Sequence, residues 1–358
     1  MDLLQLTYDL VSIPSVSYEE EQIAAFVADR LQNRSHLEIT RIGNNTIART
    51  QKGADYRVVL AGHLDTVPFG DSKPIELSPP YVTGRGSVDM KGGLAVLMKI
   101  VAESTTLPVD VTFVAYAREE VKRVDSGLLE VKALAPQLLE CDMAVLAEPT
   151  NGFAEVGCQG VMRVELTLGG VAAHTARAWK GTNAIHRAGR VIEETVKFGY
   201  REVVVDGVAY RESLQIVKIE GGRATNVVPD ELKMTISYRF APNASPEQAY
   251  AFLNDLFSSV LNPDLGDCLQ LTESAPPAGP RLLDPGIKRL TELTDRGAKA
   301  KLGWTDVAFF AEQNTPAVNF GPGEPELSHG ANEAISEAEL EECYGVLWQF
   351  LENCPPRA

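Results

Sequence analysis

The sequence predicts an α/β protein in which a mostly parallel sheet, covered by helices on both faces, is interrupted by an inserted α+β domain. In the first half of the chain, three apolar runs rich in strand-forming residues alternate with helical stretches, which is typical of a covered parallel sheet. From about Gly160 the strand patterns alternate apolar and polar residues, and the order becomes β-α-β-β-α, as in a split βαβ domain. We therefore expect one domain from residues 1–159 and 273–358 and an inserted domain from residues 160–272.

The α/β part begins with two helical patterns. The first has apolar residues at helical spacing and ends before Pro14. The second opens with a capping-box pattern, Ser17 followed by Glu20, which predicts that the helix begins there. Two further helices separate the three strands. In chain order these stretches are "MDLLQLTYDLVSIPS", "SYEEEQIAAFVADRLQ", "RVVLAGHLD", "MKGGLAVLMKIVAES", "DVTFVAYARE", "SGLLEVKALAPQLLE" and "CDMAVLAEPT".

The inserted part has the sequence pattern of a half-exposed sheet that is covered by helices on one face. Three stretches alternate apolar and polar residues, as strands with one solvated face do. Two amphipathic stretches predict helices, and a proline-rich connection leads back to the α/β part. In chain order they are "VMRVELTLGG", "GTNAIHRAGRVIEETVKFG", "ESLQIVKIEGG", "ELKMTISYRF", "SPEQAYAFLNDLFSSVL" and the connection "ESAPPAGPRLLDPG".

The composition argues against several classes of function. The 358 residues include 33 Lys+Arg and 49 Asp+Glu, a net charge of -16, which argues against binding nucleic acid or anionic membranes. Five cysteines without a CxxC motif indicate a reducing, cytoplasmic setting. The first residues lack the basic region of a signal peptide, and no apolar run approaches the roughly 20 residues of a membrane span.

Polar side chains follow the apolar runs of the α/β part. Imidazole and carboxylate groups come directly after each predicted strand, and ligands gather at the carboxyl ends of parallel strands. One more carboxylate stands in the glycine-rich turn "GRGSVDMKGG" before a helix. We therefore expect these groups to meet at one edge of the sheet. They are His63 and Asp65, Glu119 and Glu120, Glu148, His329 and, in the turn, Asp89.

Each of these residues alone has an ordinary structural explanation. A single histidine at a strand end is usually a hydrogen-bonded polar group, and a glutamate pair in so acidic a chain is usually solvated. Asp89 could simply cap the following helix. The shared position of all of them, at the ends of apolar runs, is what favours a joint function.

The set of donors suits a pair of divalent metal ions. Imidazole and carboxylate together favour zinc, and a catalytic zinc keeps a position open for water. A short carboxylate such as Asp89 can bind one ion with each oxygen. Glu119 is left over beside Glu120, where it can act as a general base. Asp65 is left over beside His63, where it can accept the second imidazole N–H and fix the tautomer.

These motifs resemble the di-zinc aminoacylase and glutamate-carboxypeptidase family. The quoted residues occur in the order that the family has, and the resemblance spans nearly the whole chain. The last motif, "LSHGANE", is a loose version of the family's pattern, and "REE" replaces a more acidic lead-in to the glutamate pair. The motifs are His63-Leu64-Asp65, "SVDMKGG", Glu119-Glu120, "LAEPT" and the late His329.

The resemblance implies a metal centre with assigned roles. It implies two Zn²⁺ per subunit, with Co²⁺ or Mn²⁺ as possible substitutes, and a cis peptide bond after Asp89. Glu119 would take a proton from the metal-bridging water and pass it to the leaving amine. The implied ligands are His63 and Glu148 for one ion, Glu120 and His329 for the other, and Asp89 as the bridge.

The inserted domain contributes one more candidate, His174, in "GVAAHTARAWKG". An isolated histidine is more often structural, but this one lies between a strand and a helix among small residues. The matching histidine of the family helps to stabilise the tetrahedral oxyanion, often from the partner subunit. The resemblance therefore implies a homodimer formed through the inserted domain, which would also serve as a lid.

Several stretches resemble the branch of the family that cleaves an amide between succinate and a diamino-diacid. They are "GCQGVMRVELTLGGVAAHTAR", "GGRATNVVPDELKMTISYRFAP", "GWTDVAFF" and "PAVNFGPGEPELSH". Such a substrate carries carboxylates at both ends, and guanidinium groups pair with carboxylates. Arg163 and Arg223 can equally be solvated strand-end charges. The candidate substrate-binding residues are Arg163, Arg177, Arg223 and Arg239, together with Asn226 and Thr305.

The sequence thus predicts a metal-dependent amidohydrolase that acts on a small N-acyl diamino acid. Another deacylase of the acetylornithine kind, or a glutamate-type carboxypeptidase, would use the same metal site and differ only in the pocket. A non-catalytic relative that binds a ligand or partner is the alternative from another class. The intact Glu119 and the complete ligand set argue against it.

Overall fold

The computed structural model describes residues 1–355. The chain forms two compact units. The first unit consists of Met1–Gly157, Pro280–Lys299 and the chain from Asp306 onward, and the second consists of Cys158–Gly279 and Ala300–Thr305. The second unit thus begins at Cys158 rather than residue 160 and runs to Gly279 rather than residue 272, and it includes a short later segment that the sequence did not indicate.

The first unit is built on an eight-stranded sheet with the strand order β1-β2-β6-β3-β7-β15-β8-β14. The four central strands β6, β3, β7 and β15 run parallel, and β2 and β8 flank them antiparallel. A small sheet, β16-β5-β4, completes the unit. The strands are β1 (Glu38–Ile42), β2 (Asn45–Arg49), β3 (Arg57–His63), β4 (Glu76–Ser78), β5 (Tyr81–Thr83), β6 (Asp110–Tyr116), β7 (Met143–Leu146), β8 (Ala154–Val156), β14 (Ala298–Ala300), β15 (Ala317–Asn319) and β16 (Ala334–Ser336).

The central strands are apolar because both of their faces are buried. Every residue of β6 is buried, as is every residue of β3 after Arg57. The register pairs Arg57 with Asp110 at one end and His63 with Tyr116 at the other. Parallel strands end at one edge of a sheet, so the chain segments that follow β3, β6 and β7 leave together.

The helices of the first unit pack around this sheet. Helices α1, α3 and α9 pack on one another, α3 also contacts β3 and β6, and α4 contacts β1 and β2. Helix α9 begins with a complete capping box between Ser336 and Glu339. The helices are α1 (Leu3–Val11), α2 (Glu21–Leu31), α3 (Gly92–Glu103), α4 (Gly127–Leu134), α7 (Pro285–Leu293), α8 (Val307–Ala311) and α9 (Glu337–Glu352).

The predicted start of α2 is wrong. Ser17 does not cap the helix, which begins at Glu21 with Glu20 at the N-cap position. Glu20 Oε1 accepts the N–H of Tyr18 at 2.7 Å, and the Ser17 hydroxyl donates instead to Asp65 Oδ2 at 2.8 Å. The capping-box spacing is therefore present, but Ser17 does not cap the helix. Its hydroxyl donates to the Asp65 carboxylate instead, because a charged oxygen is a stronger acceptor.

The second unit has a five-stranded antiparallel sheet with the order β10-β11-β12-β9-β13. Alternate residues of β12, such as Met234 and Ile236, are buried in a core that also contains apolar residues of both helices. The intervening residues Lys233, Thr235, Ser237 and Arg239 are half-buried on the other side of the strand. The elements are β9 (Gly160–Gly169), α5 (Ala184–Phe198), β10 (Tyr200–Val205), β11 (Val208–Gly221), β12 (Glu231–Phe240), α6 (Pro246–Ser258) and β13 (Cys268–Ala275).

The structure confirms the α/β class with an antiparallel α+β part, and it adds strands that the sequence pattern did not reveal. The hairpin β10–β11 turns at Asp206 and Gly207, which both have positive φ (48° and 83°). An Asp-Gly pair between β-branched runs is a hairpin signal that was available in the sequence. Strands β1, β2 and β13 were also missed. Within residues 1–355, no helix combines the length and the apolar character that a membrane crossing needs.

Candidate metal centre

The ends of three adjacent parallel strands deliver most of the candidate ligands. Strand β3 ends at His63 itself. Glu119 and Glu120 follow β6 within four residues, and Glu148 follows β7 by two. Because β6, β3 and β7 are neighbours in the sheet, their side chains reach the same edge.

Asp89 comes from a tight turn rather than from a strand. The segment Ser87–Lys91 is a single irregular helical turn, in which Asp89 itself has non-helical angles (φ -118°, ψ 96°). The peptide bond from Asp89 to Met90 is cis, as the resemblance implies. Gly86 enters the turn at φ 83°, and a Cβ there would come within 2.7 Å of Thr66. Only glycine fits this conformation and this close approach.

The two carboxylate oxygens of Asp89 face two different imidazoles. Oδ1 lies 3.1 Å from His63 Nε2, and Oδ2 lies 3.4 Å from His329 Nε2. His63 Nε2 is also 3.9 Å from Glu148 Oε1, and His329 Nε2 is 2.8 Å from Glu120 Oε1. Two groups of donors therefore share Asp89: His63 and Glu148 form one group, and His329 and Glu120 form the other.

Asp65 has a different hydrogen-bonding role from the one expected. His63 Nδ1 lies 2.9 Å from the backbone carbonyl of Asp65 and 3.6 Å from its carboxylate. The carboxylate instead accepts the backbone N–H groups of Glu119 and Glu120 at 3.0 and 3.1 Å, and the Ser17 hydroxyl. The carbonyl of Asp65 thus fixes the ring of His63, and its carboxylate fixes the glutamate pair.

The carboxylates of the site attract positive charge strongly. Burial opposes protonation of His63, but Asp89 and Glu148 raise its pKa well above the usual value. Hydrogen bonds to Asp89 and Glu120 raise the pKa of His329 to about 10. Burial alone would raise the pKa of Asp89, yet its hydrogen bonds with His329 and His63 hold it well below the usual range.

The pKa of Glu119 is shifted in the opposite direction to that of Asp89. Burial and the negative charge of Glu148 raise the pKa of Glu119 well above its usual value. Its neighbour Glu120 is hydrogen-bonded to His329. A carboxylate in this environment accepts a proton readily, as a general base must.

The donor set fits divalent cations. Imidazole nitrogen and carboxylate oxygens of His63, Asp89 and Glu120 lie within 4.8 Å of one another. Among residues 1–355, no lysine or arginine forms an ion pair with Asp89, Glu119 or Glu120. Several carboxylates held together without a basic side chain are stabilised by a bound cation, and this mixture of nitrogen and oxygen donors suits zinc and its neighbours.

Two predicted residues of the second unit lie side by side. His174 forms an isolated β-bridge with Val227, and the N–H of Thr175 donates to the carbonyl of Asn226 at 3.1 Å. The Nδ1 atom of His174 accepts the N–H of Ala176 at 3.0 Å. An accepting Nδ1 carries no proton, so the neutral ring presents its N–H at Nε2, on a side chain that is exposed to solvent.

The predicted arginines differ in their surroundings. Arg163 pairs with Glu273 on the neighbouring strand β13, and the exposed Arg223 lies 3.8 Å from Asp230. Arg177 is exposed in a short 3-10 helix. Arg239 is half-buried, and burial and the charge of Arg163 lower its pKa. No carboxylate of the described chain forms an ion pair with it. Thr305 is buried, with its carbonyl 3.7 Å from Cys158 Sγ.

Four residues near the metal centre were not found from the sequence. Ser17 holds Asp65, and a buried ion pair between Arg85 and Glu333 lies at the turn before Asp89. Asp306 is buried at the start of α8, where burial raises its pKa to about 6. Of these four residues, only Asp306 had a signal in the sequence. It lies in the stretch "GWTDVAFF", directly after the candidate substrate-binding residue Thr305.

An α/β fold that brings histidine and carboxylate side chains together at the carboxyl edge of its sheet is typical of metallohydrolases. Residues 59–353 match the sequence profile of Peptidase family M20/M25/M40, and the chain belongs to this family. Together with the relatives described next, this makes the chain a metal-dependent amidohydrolase.

Two curated relatives match nearly the whole chain. A Mycobacterium tuberculosis protein named as a candidate succinyl-diaminopimelate desuccinylase, DapE, is 40% identical over 98% of this chain and 98% of its own. The succinyl-diaminopimelate desuccinylase of Corynebacterium glutamicum is 39% identical over 98% of this chain and 96% of its own.

Solved structures share the fold at lower identity. A tripeptidase from Staphylococcus aureus aligns with a TM-score of 0.81 and 23% identity, covering 98% of this chain and 97% of its own. The aminopeptidase PepT from Bacillus cereus aligns with a TM-score of 0.80 and 20% identity over the same shares of the two chains. These similarities show that the two-part fold of the family is present here.

Proposed function

We propose that this protein hydrolyses N-succinyl-LL-2,6-diaminopimelate to succinate and LL-diaminopimelate, a precursor of lysine and of the cell wall, in the cytoplasm. The observation that carries the proposal is the pair of Asp89 oxygens, each directed at a different imidazole. A carboxylate so placed suits two ions held side by side. The substrate follows from the two desuccinylase relatives, which are about two-fifths identical over nearly the full length.

The proposed cofactor is a pair of Zn²⁺ ions, with Co²⁺ or Mn²⁺ as substitutes. His63 and Glu148 would hold one ion, Glu120 and His329 the other, and Asp89 both. When bound, such ions polarise the amide carbonyl and make water a better nucleophile at neutral pH.

Glu119 is the proposed general base and acid. It takes a proton from the attacking water and later donates that proton to the amine that leaves as the amide C–N bond breaks. The backbone of Glu119 is fixed by Asp65, and burial raises its pKa, so it can hold the proton between the two steps.

Recognition of the substrate's carboxylates is assigned to the second unit. Arg239 is the strongest candidate, because it is half-buried and has no carboxylate partner in the described chain. A guanidinium in this state gains most from a ligand carboxylate, which it can bind with two parallel hydrogen bonds. Arg163 is already paired with Glu273, so its proposed contact would require exchange of partners. Arg177, Asn226 and Thr305 complete the proposed set.

His174 is the proposed oxyanion donor, and a homodimer is the proposed assembly. Its Nε2–H is the free donor of the neutral ring, since Nδ1 accepts from Ala176. Large apolar side chains near it in the chain are exposed, with Trp179 79%, Val171 45% and Ile185 42% exposed. Exposed apolar and aromatic side chains are typical of protein–protein interfaces.

A substrate comparison tests the proposal. Parallel kcat/KM measurements on N-succinyl-LL-diaminopimelate and N-acetylornithine should favour the succinyl substrate by at least about 10²-fold, because the site must satisfy a second carboxylate. Preference for the acetyl substrate, or for peptides, would replace the proposed substrate with one of the alternative classes.

Arg239→Lys sharpens this comparison. The variant keeps the charge but loses the bidentate hydrogen bond to the substrate carboxylate. KM for the succinyl substrate should therefore rise about 10-fold, which corresponds to roughly 1.4 kcal/mol of binding free energy. Arg223→Lys is the matched control, since Arg223 is exposed beside Asp230, and its KM should stay within about twofold of the unaltered chain. An unchanged KM in Arg239→Lys would remove Arg239 from the substrate site.

A further inference from the structure

Two buried charges lie at the turn that leads to Asp89, and neither has a part in the mechanism above. Arg85 is 5% exposed and Glu333 is 1% exposed. They form an ion pair between Nη1 and Oε1. The other oxygen of Glu333 accepts the backbone N–H of Gly86 at 2.7 Å. One carboxylate thus holds two consecutive residues of the turn.

The turn needs such an anchor because its glycines are conformationally permissive. Gly84 and Gly86 both have positive φ, at 128° and 83°. A glycine can change its backbone conformation at little energetic cost unless other groups hold it in place. Asp89 follows Gly86 by three residues, so the position of Gly86 sets where the Asp89 carboxylate lies.

Glu333 belongs to the same segment as His329, four residues away. The carbonyl of Glu333 accepts the N–H of Gly84 at 3.1 Å. Strand β16, which begins at the next residue, pairs with β5 just before the turn. Glu333 therefore ties the segment carrying His329 to the segment carrying Asp89, and these two ligands meet at 3.4 Å.

We propose that Glu333, held by Arg85, is a positioning residue that sets the separation of Asp89 and His329 and thereby the affinity of the second metal position. This inference rests on the proposed two-ion centre. Both positions share Asp89, but the first otherwise takes His63 and Glu148 from the ends of β3 and β7, whereas the second takes His329 from the segment that Glu333 holds, together with Glu120. Loss of Glu333 therefore weakens the second position more than the first.

A purely structural role of the ion pair makes a different prediction. Arg57 and Asp110 form a comparable pair in the same unit, with Asp110 2% exposed and an N–O distance of 3.2 Å. This pair lies at the amino-terminal ends of β3 and β6, opposite the metal edge. Asp110→Asn is therefore a matched control that removes a buried charge without touching the ligand-bearing segments.

The experiment is a titration of the metal-free chain with Co²⁺, followed by visible absorption and by competition with a chelator. The unaltered chain should bind two ions. Glu333→Gln should keep the first affinity within about twofold and lose about 10- to 100-fold at the second, the usual effect of removing a group that supports ligands. Asp110→Asn should bind both ions as the unaltered chain does.

The outcomes separate the two levels of the proposal. Fewer than two ions in the unaltered chain would overturn the two-ion centre itself. Two ions there and an unchanged second affinity in Glu333→Gln would overturn the positioning role alone. Equal weakening of both positions in Glu333→Gln would also overturn it, since the effect would then not be specific to the second ion.

A pair of variants at Arg85 keeps the test decisive if Glu333→Gln folds poorly. Arg85→Met removes the charge that holds Glu333 and should weaken the second ion by about the same 10- to 100-fold. Arg85→Lys restores a cation within reach of Oε1 and should recover most of that affinity. Equal second-site affinity in Arg85→Met and the unaltered chain would contradict the proposal.

Discussion

Asp267 in the second unit and the carboxylates of the candidate metal centre in the first unit have opposite surroundings. Asp267 has a fully buried side chain and is surrounded by donors: Arg187 binds both of its oxygens, and the N–H groups of Gly169 and Asn262 donate to it at 2.8 and 2.6 Å. In the first unit, Asp89 and Glu120 face two imidazoles, and no lysine or arginine of residues 1–355 forms an ion pair with them or with Glu119.

The difference distinguishes a structural charge from a functional one. A buried carboxylate costs several kcal/mol unless a partner compensates it, and Arg187 compensates Asp267 within the chain itself. Asp89 and Glu120 have no such basic partner in residues 1–355, and their hydrogen bonds raise the pKa of His329 to about 10. Under the proposed function, a carboxylate thus serves stability at Asp267 and metal binding at Asp89 and Glu120.

The largest expected effect is on chemistry. Glu119→Gln removes the proton acceptor while leaving the ligands in place, so kcat should fall by about 10²–10⁴-fold. The measurement is steady-state turnover together with metal content, which should stay at the level of the unaltered chain. Turnover within about threefold of the unaltered chain would refute the role of Glu119. Glu165→Gln, at a half-buried surface pair with Lys233, is the control and should have ordinary turnover.

The next effect is on stability in the second unit. Asp267→Asn leaves Arg187 without its anion, and removing one partner of a buried pair costs about 3 kcal/mol. Chemical denaturation at pH 7 should detect this loss, while metal content should not change. A loss of bound metal in this variant would contradict the proposed division between structural and functional carboxylates.

The stability that Asp267 contributes depends on pH with a definite sign. Burial would raise the pKa of Asp267, but Arg187 and the two N–H groups hold it below its ordinary value of 3.8. The charge therefore stabilises the fold fully above about pH 4–5 and progressively less as the pH falls through the lower, folded-state pKa. The stability difference between Asp267→Asn and the unaltered chain should shrink on acidification and would contradict this account if it grew.

The smallest expected effect is at Ser17. Ser17→Ala removes one of three hydrogen bonds to the Asp65 carboxylate, while the N–H groups of Glu119 and Glu120 remain. One such bond is worth about 1 kcal/mol, so kcat should fall about fivefold with little change in KM. Ser17→Thr, which keeps the hydroxyl, should recover most of the activity, and failure of that recovery would point to a packing effect.

The sequence predicted the parts of the site that depend on strand ends. His63, Glu119, Glu120 and Glu148 follow buried apolar runs, and a parallel sheet brings such positions together whatever the details of packing. The same reasoning gave the α/β class. Asp89 and His329 were candidates by position too, but a glycine-rich turn and a loop have no comparable periodic signal, and the assignment of ligands to each ion came from the resemblance.

The parts that were missed depend on partners far apart in the chain. Glu333 meets Gly86 across 247 positions, and Ser17 meets Asp65 across 48. Local rules assigned Ser17 to a helix cap, because the spacing to Glu20 is right and no local pattern indicates a buried aspartate nearby. The Asp65 carboxylate likewise meets the N–H groups of Glu119 and Glu120 across 54 and 55 positions, whereas only its backbone carbonyl lies within hydrogen-bond distance of the nearby His63 ring.

The number of divalent ions bound per chain, in the unaltered chain and in Asp89→Asn, decides whether Asp89 serves two metal positions. Elemental analysis after dialysis should find two ions in the unaltered chain and at least one fewer in Asp89→Asn, because the amide has one oxygen and no charge to share between two positions. Asp267→Asn, which removes a compensated carboxylate, should still bind two. Two ions in Asp89→Asn at unchanged affinity, or none in the unaltered chain, would rule out Asp89 as a bridge between two ions.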